Sequence, residues 1–322
     1  MRNKPISDAF PATGPAPVRP MRSCAVAVVV ASGLCGVIAL APMPACAQPP
    51  DAAGELLGLI NAHRAVVQSC EGKTVAALPS LRSVAMLVNA LQGARPNERG
   101  LNASLRAAGY AAARSLAIEL SGPRDAGAAL RLLVARHCAA LSSAKYSDIG
   151  LARNNDRWRI VLAEPLLSPT LGSSDAAGQR VLQLVNAARA VPRRCGQQRF
   201  ASAPPLIWSA PLAAASMVHS RDMAARDTLS HVGADRSRAG ERARRQGYAW
   251  RSVGENVAAG QGSAEQVVAD WIASPGHCVN LMRSGYTQMG AAYVVEMRSS
   301  AVVYWTQVFG SPRAATPVQA RR

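Results

Sequence analysis

In the C-terminal half of the chain, apolar residues recur at intervals of three and four. Val181, Leu182, Val185 and Ala188 line one side of a helix that Ser174 can cap. Ser209, just ahead of Pro211, can cap a second helix running to about Arg226. On it Leu212, Ala215, His219 and Met223 share one face, so His219 points where apolar neighbours point. Ser263 and Gln266 form a capping box for a third helix with the stripe Ala264, Val267, Val268, Trp271 and Ile272, ended by Pro275-Gly276. The pattern then changes. Residues 290–297 and 301–309 are rich in Val, Tyr and Trp and read as strands joined by a turn at Arg298-Ser299-Ser300. Helices followed by a hairpin place the chain in the α+β class.

The N-terminus follows a different rule. From Cys24 to Ala41 the chain is apolar or small and uncharged, with Arg19 and Arg22 upstream and Ala45-Cys46-Ala47 downstream. A basic flank, an apolar run and an A-x-A site make residues 1–47 a secretory signal peptide cleaved after Ala47. A run of about 18 Ala- and Gly-rich residues ending at Pro42 and Pro44 is a poor membrane span, so no transmembrane anchor is expected in the mature chain. The lipoprotein alternative would use Cys46, but Met43-Pro44-Ala45 is a weak match for it. Met21 is an alternative start to Met1. The protein is expected to be secreted or periplasmic.

After cleavage four of seven cysteines remain, Cys70, Cys138, Cys195 and Cys278, which allow three pairings. An internal repeat chooses among them. At an offset of 125, Asn61, Arg64 and Cys70 fall on Asn186, Arg189 and Cys195. At 138, Arg106, Gly109 and Tyr110 fall on Arg244, Gly247 and Tyr248; at 140, His137, Cys138, Leu141, Tyr146 and Gly150 fall on His277, Cys278, Leu281, Tyr286 and Gly290. Matches in one order with growing offsets indicate a duplicated domain and predict Cys70–Cys138 and Cys195–Cys278. The units are 55–165 and 180–311, joined by a linker at 166–179 around Ser168-Pro169 and Gly172-Ser173-Ser174, with a disordered tail at 312–322.

The formal net charge is +17, but 33 Arg stand against 3 Lys and aromatics are only 4%. Such a skew, without clustered bases, interleaved aromatics or a zinc-finger or helix-turn-helix signature, excludes a nucleic-acid partner. Losing residues 1–47 leaves +14, which suits an anionic envelope. The run Arg242, Arg244 and Arg245 reads as a solvated helix face.

Three of the five histidines, His219, His231 and His277, lie in the second unit with Glu255. His with carboxylate is material for a divalent-metal site or for acid–base work. The motifs H-E-x-x-H and G-x-S-x-G and the P-loop are absent from the sequence. The segments His219-Ser220-x-Asp222-Met223-Ala224, Leu229-Ser230-His231, Gly254-Glu255-Asn256-Val257-Ala258, Trp271-x-x-Ser274-Pro275-Gly276-His277-Cys278-x-Asn280 and Tyr304-Trp305-x-Gln307-x-Phe309-Gly310 closely resemble the CAP superfamily (cysteine-rich secretory proteins, antigen 5, pathogenesis-related proteins) in its bacterial SCP-like branch. The resemblance implies an α–β–α sandwich whose cleft is lined by a His/Glu tetrad. Three tetrad positions are occupied, by His231, Glu255 and His277. The fourth, a Glu in many eukaryotic members, is Ser274, and His219 belongs to the bacterial pattern. The first unit keeps only His137, with Glu119 out of register, and reads as a degenerate N-terminal copy.

Functionally, the resemblance implies an exported protein whose His/Glu cleft binds a small ligand or a divalent cation such as zinc, with His231 and His277 as the metal candidates. A small molecule, a lipid or an envelope component is the expected partner, and no cofactor is otherwise called for. Two alternatives stand beside this. One is a metal-dependent hydrolase, or a serine-type one using Ser220, acting on peptides or cell wall. The other is an envelope scaffold in which the tetrad is a buried hydrogen-bond network.

Overall fold

The computed structural model describes residues 51–93 and 98–313; the signal peptide and residues 314–322 of the expected tail lie outside them. The first lobe comprises α1 (Ala52–Arg64), β1 (Gln68–Cys70), β2 (Lys73–Val75), β3 (Arg82–Ser83), α2 (Ala85–Gly93), α3 (Glu98–Ala107), β4 (Ala112–Ser121), α4 (Ala126–Leu141), β5 (Asp148–Asn154) and β6 (Arg157–Pro165). The second comprises α5 (Ser174–Arg189), β7 (Arg193–Cys195), β8 (Gln198–Phe200), β9 (Ile207–Trp208), α6 (Ala210–Arg226), α7 (Ala239–Arg245), β10 (Trp250–Ala259), α8 (Ala264–Ala273), α9 (Pro275–Met282), β11 (Gln288–Val295) and β12 (Val303–Pro312). Both main sheets have four strands in the same spatial order, β3-β5-β6-β4 and β9-β11-β12-β10, with the first pair parallel and the rest antiparallel.

Each sheet is covered on both faces. Along β12, Val303, Trp305 and Phe309 pack with Val181, Val185, Val267 and Trp271 of α5 and α8. The alternate residues Val308 and Tyr304 pack with Leu212 and Met223 of α6. A central strand between two helical layers is buried on both sides, so it reads as an apolar run and not as an alternation. In β6, Trp158, Ile160 and Leu162 likewise face α1 and α4, and Val161 and Ala163 face α2 and α3. The architecture is α+β, layered helix–sheet–helix in each lobe. The disulfides are Cys70–Cys138 and Cys195–Cys278, as expected.

Several local expectations change. Ser173, not Ser174, caps α5 by accepting from Ala176 N, and Ser174 Oγ accepts from Tyr293 N at 3.1 Å. Helix α8 stops at Ala273, just before Pro275-Gly276, as expected, but the same pair also opens a further helix, α9, because Pro is pre-set for a first turn. Gln266 Oε1 accepts from Gly262 N, one residue before the expected partner, while Ser263 Oγ accepts from Gln266 N. Pro312 ends β12, paired with Trp250. Between the lobes, Leu166 and Leu167 pack on the second core, and Ser168 N donates to Gly262 O. A Cβ at Gly262 would run into the Leu166 backbone, so glycine allows this approach.

Candidate functional site

Three elements of the second lobe meet at Glu255. Ser209 caps α6, and the helix lies so close to β11 that a Cβ on Gly290 would strike the Ala213 backbone. The close approach buries the α6 face that carries Leu212, Ala215, His219 and Met223. Strand β10 brings Glu255 opposite Val308, and the loop after α6 returns His231 over it.

The Glu255 carboxylate is almost wholly enclosed and both oxygens are engaged. Oε1 accepts from His231 Nδ1 at 2.9 Å, and Oε2 accepts from Arg242 Nη2 at 2.6 Å. Because a carboxylate only accepts, His231 Nδ1 carries the proton in this bond, which in the singly protonated tautomer leaves Nε2 as the acceptor; 54% of the side chain is exposed. Arg242 is 3% exposed and also donates to Ser237 O at 2.6 Å and His231 O at 3.3 Å. It therefore ties the 231–237 loop to the carboxylate. The expectation of a solvated basic face is corrected here. Arg242 is buried against a countercharge, Arg244 stacks on Trp250 at 4.4 Å, and Arg245 pairs with Asp235. A run of arginines does not reveal which member turns inward; only the position of Glu255 does.

His219 is fully buried and donates from Nε2 to Ser230 O at 2.7 Å, with Nε2 3.8 Å from Glu255 Oε1. Burial pushes its pKa below the ordinary imidazole value, the nearby Glu255 only partly opposing. His277 is half-buried in the first turn of α9. Burial, then the neighbouring His231, lowers its pKa as well. Asn256 donates to His277 O and Gln307 Oε1, each at 3.2 Å, and Asn280 donates to Glu255 O at 3.1 Å, so the two amides brace the floor. Ser274 is the half-buried junction between α8 and α9. Trp271 and Trp305 are core, their Nε1 groups donating to Val257 O and Gln261 O. Ser220 is not on the helix surface: its buried Oγ donates to Thr306 Oγ1 at 2.9 Å and Ala292 O at 3.2 Å, leaving it no access to a substrate.

In front of Glu255 lies a cavity of about 260 Å³ lined by His231, Arg238, Gly240, Trp250 and Gly254. Its metal-binding capacity is limited by what the donors already do. His231, Glu255 and His277 do not bring one ligand atom each to within 4.8 Å of one another. Among the described residues Cys70, Glu71 and Cys138 alone do so, and those two thiols form a disulfide. A hydrolytic zinc centre needs three protein ligands and an open position. Among the described residues His231, Glu255 and His277 do not converge on such a set, so that centre does not fit.

Residues 182–309 match the family model described as the Cysteine-rich secretory protein family, CAP. The uncharacterized protein YkwD of Bacillus subtilis (strain 168) is 38% identical over 63 residues, 20% of this chain and 23% of that protein; the chain thus spans under a quarter of its relative's length. Among solved structures, an extracellular protein containing a SCP domain from Bacillus anthracis str. Ames is 22% identical, with 48% of this chain and 52% of that chain covered and a TM-score of 0.36. An outer surface protein from Borrelia burgdorferi is 13% identical, with 42% and 95% covered and a TM-score of 0.33. The stretch 182–309 of this chain, a helix–sheet–helix lobe closed by Cys195–Cys278, is a CAP domain of the cysteine-rich secretory protein family.

Proposed function

We propose that this is an exported, non-catalytic binding protein whose CAP-domain cleft takes a divalent cation or a small polar ligand on the paired imidazoles of His231 and His277. The observation that carries the reading is the double engagement of Glu255. With Oε1 on His231 and Oε2 on Arg242, the carboxylate orients a histidine instead of moving protons. A carboxylate behind an imidazole fixes its tautomer and strengthens the far nitrogen as an acceptor. His277, whose pKa is lowered first by burial and then by His231, is the second imidazole of this reading. Ser220, the one nucleophile the serine-hydrolase alternative could use, is locked in the core. Export rests on the N-terminal leader read from sequence. No helix among the described residues is long and apolar enough to cross a membrane. The first lobe is the degenerate copy of the second and serves as its structural neighbour.

Zn²⁺ titrated calorimetrically into the purified chain probes the two imidazoles directly. Saturable heat near one equivalent, lost in both His231→Ala and His277→Ala, is the expected outcome. No saturable heat, or heat that survives either substitution, overturns the paired-imidazole reading.

A further inference from the structure

A second cavity of about 200 Å³ is walled by Val218, His219 and Asp222 of α6, by Gly233, Ala234, Asp235 and Ser237 of the following loop, and by Arg242 and Arg245 of α7. None of these residues lines the cavity in front of Glu255. Two of them bring buried polar atoms that nothing among the described residues satisfies. Arg242 Nε has no acceptor, and His219 Nδ1 has no donor. His219 Nε2 must carry the ring proton to donate to Ser230 O, so Nδ1 is a bare lone pair; it faces Asp222, whose Oδ2 is 3.9 Å away and cannot donate when ionised. An orphaned buried donor or acceptor costs about 1–3 kcal/mol, and both atoms belong to residues that line this cavity.

The charges around the cavity cancel in pairs. Asp222 is held by Arg226 at 2.6 Å, Asp235 by Arg245, and Arg242 by Glu255. An ion therefore finds no uncompensated partner. A ligand must instead accept from Arg242 Nε and donate to His219 Nδ1, which is what a hydroxyl group does. Carboxylate oxygens of Asp222 and Asp235, each accepting from a backbone N–H of the loop, keep lone pairs for further hydroxyls. We propose that this cavity is a second binding site, for a neutral polyhydroxylated ligand, anchored by one hydroxyl between Arg242 Nε and His219 Nδ1. Its lowered pKa keeps His219 in the neutral, accepting form at ordinary pH.

The test titrates glucose, as a neutral polyol probe, into the chain labelled with ¹⁵N in its histidines. The expected result is a saturable movement of the His219 Nδ1 resonance toward its hydrogen-bonded position, with His231 unmoved. Arg242→Lys keeps a positive charge for Glu255 but removes the Nε donor, and should abolish saturation. Because that variant could fail to fold, Ala234→Leu on the exposed rim serves as a second, filling the cavity without touching the anchoring pair; it too should abolish the response. A flat His219 response means the cavity holds water alone and overturns the proposal. So does a response confined to His231, or one that survives Ala234→Leu. The zinc titration of the cleft is unaffected by either outcome, so the two sites stand or fall separately.

Discussion

Asn61 in the first lobe exchanges two hydrogen bonds with the backbone of Leu81, and Asn186 in the second does the same with Leu206. Arg64 is buried and donates to the carbonyls of Pro79, Leu141, Ser143 and Tyr146; Arg189 donates to those of Pro204, Leu281, Arg283 and Tyr286. Gly150 and Gly290 each lie where a helix presses on the sheet and a Cβ would strike it. Cross-strand register then lines up Gly150, Val161 and Ala117 in one lobe with Gly290, Val308 and Glu255 in the other. At that point the lobes part. Ala117 stands where Glu255 would be. Matching turn bonds after α3 and α7, Gly109 N to Arg106 O and Gly247 N to Arg244 O, put Ser104 at the place of Arg242. The first lobe thus folds with the same frame and without the ion pair, so the frame does not require Glu255 or Arg242. Groups that are costly to bury and unnecessary to the frame are best explained by the cleft they order.

The largest effect expected is on that frame. Arg64→Met and Arg189→Met each strand carbonyls that four or more donor contacts now satisfy, and each should cost about 3–4 kcal/mol. Denaturant unfolding of both variants checks this. Comparable losses would confirm that the lobes share one device, and a loss in one alone would break the comparison at its base.

Next is the ion pair itself. Glu255→Gln leaves Arg242 buried without a countercharge and should cost about 2–3 kcal/mol. Glu119, two residues beyond Ala117 on β4, faces Arg157 at 3.3 Å and Arg159 at 3.7 Å with 29% of its side chain exposed. Glu119→Gln should cost under about 1 kcal/mol. Melting of the two variants side by side, at low and raised salt, separates them: only the Glu119 effect should fade with salt. Equal costs would mean that the buried pair is no more than a surface bridge.

What the sequence discloses follows from this division. Asn61, Arg64, the cysteines, Gly150 and their partners stood out because each answers a backbone demand that recurs at a fixed place in the chain. The order of the helices and the last hairpin were legible for the same reason, through capping serines and a change of period. Strand β10 was legible only as the Gly254-Glu255-Asn256 motif, since its residues are buried without a clean alternation. Helix α9 was hidden by a Pro-Gly that looks like a stop. His231, Glu255 and His277 could be named from a resemblance, but Arg242 could not, because its partner lies thirteen residues away on another element.

The smallest effect expected concerns protons, and it belongs to the second lobe. His219 and His277 both have pKa values lowered first by burial, Glu255 only partly opposing this at His219 and His231 adding to it at His277. The unfolded chain, with ordinary imidazoles near 6.5, binds protons at pH values where these two folded rings stay neutral. The unfolded state is then the better proton binder, so stability rises with pH through that window. Put the other way, the contribution is whole above about pH 6.5 and is lost as the pH falls toward the depressed folded values. Unfolding midpoints taken between pH 7.5 and 5 should decline on the acid side. His219→Phe, which keeps a buried ring but cannot be protonated, should flatten the decline while leaving the His277 share. A slope that His219→Phe leaves untouched would place the titrating group elsewhere, and would remove the reason for treating His219 as neutral.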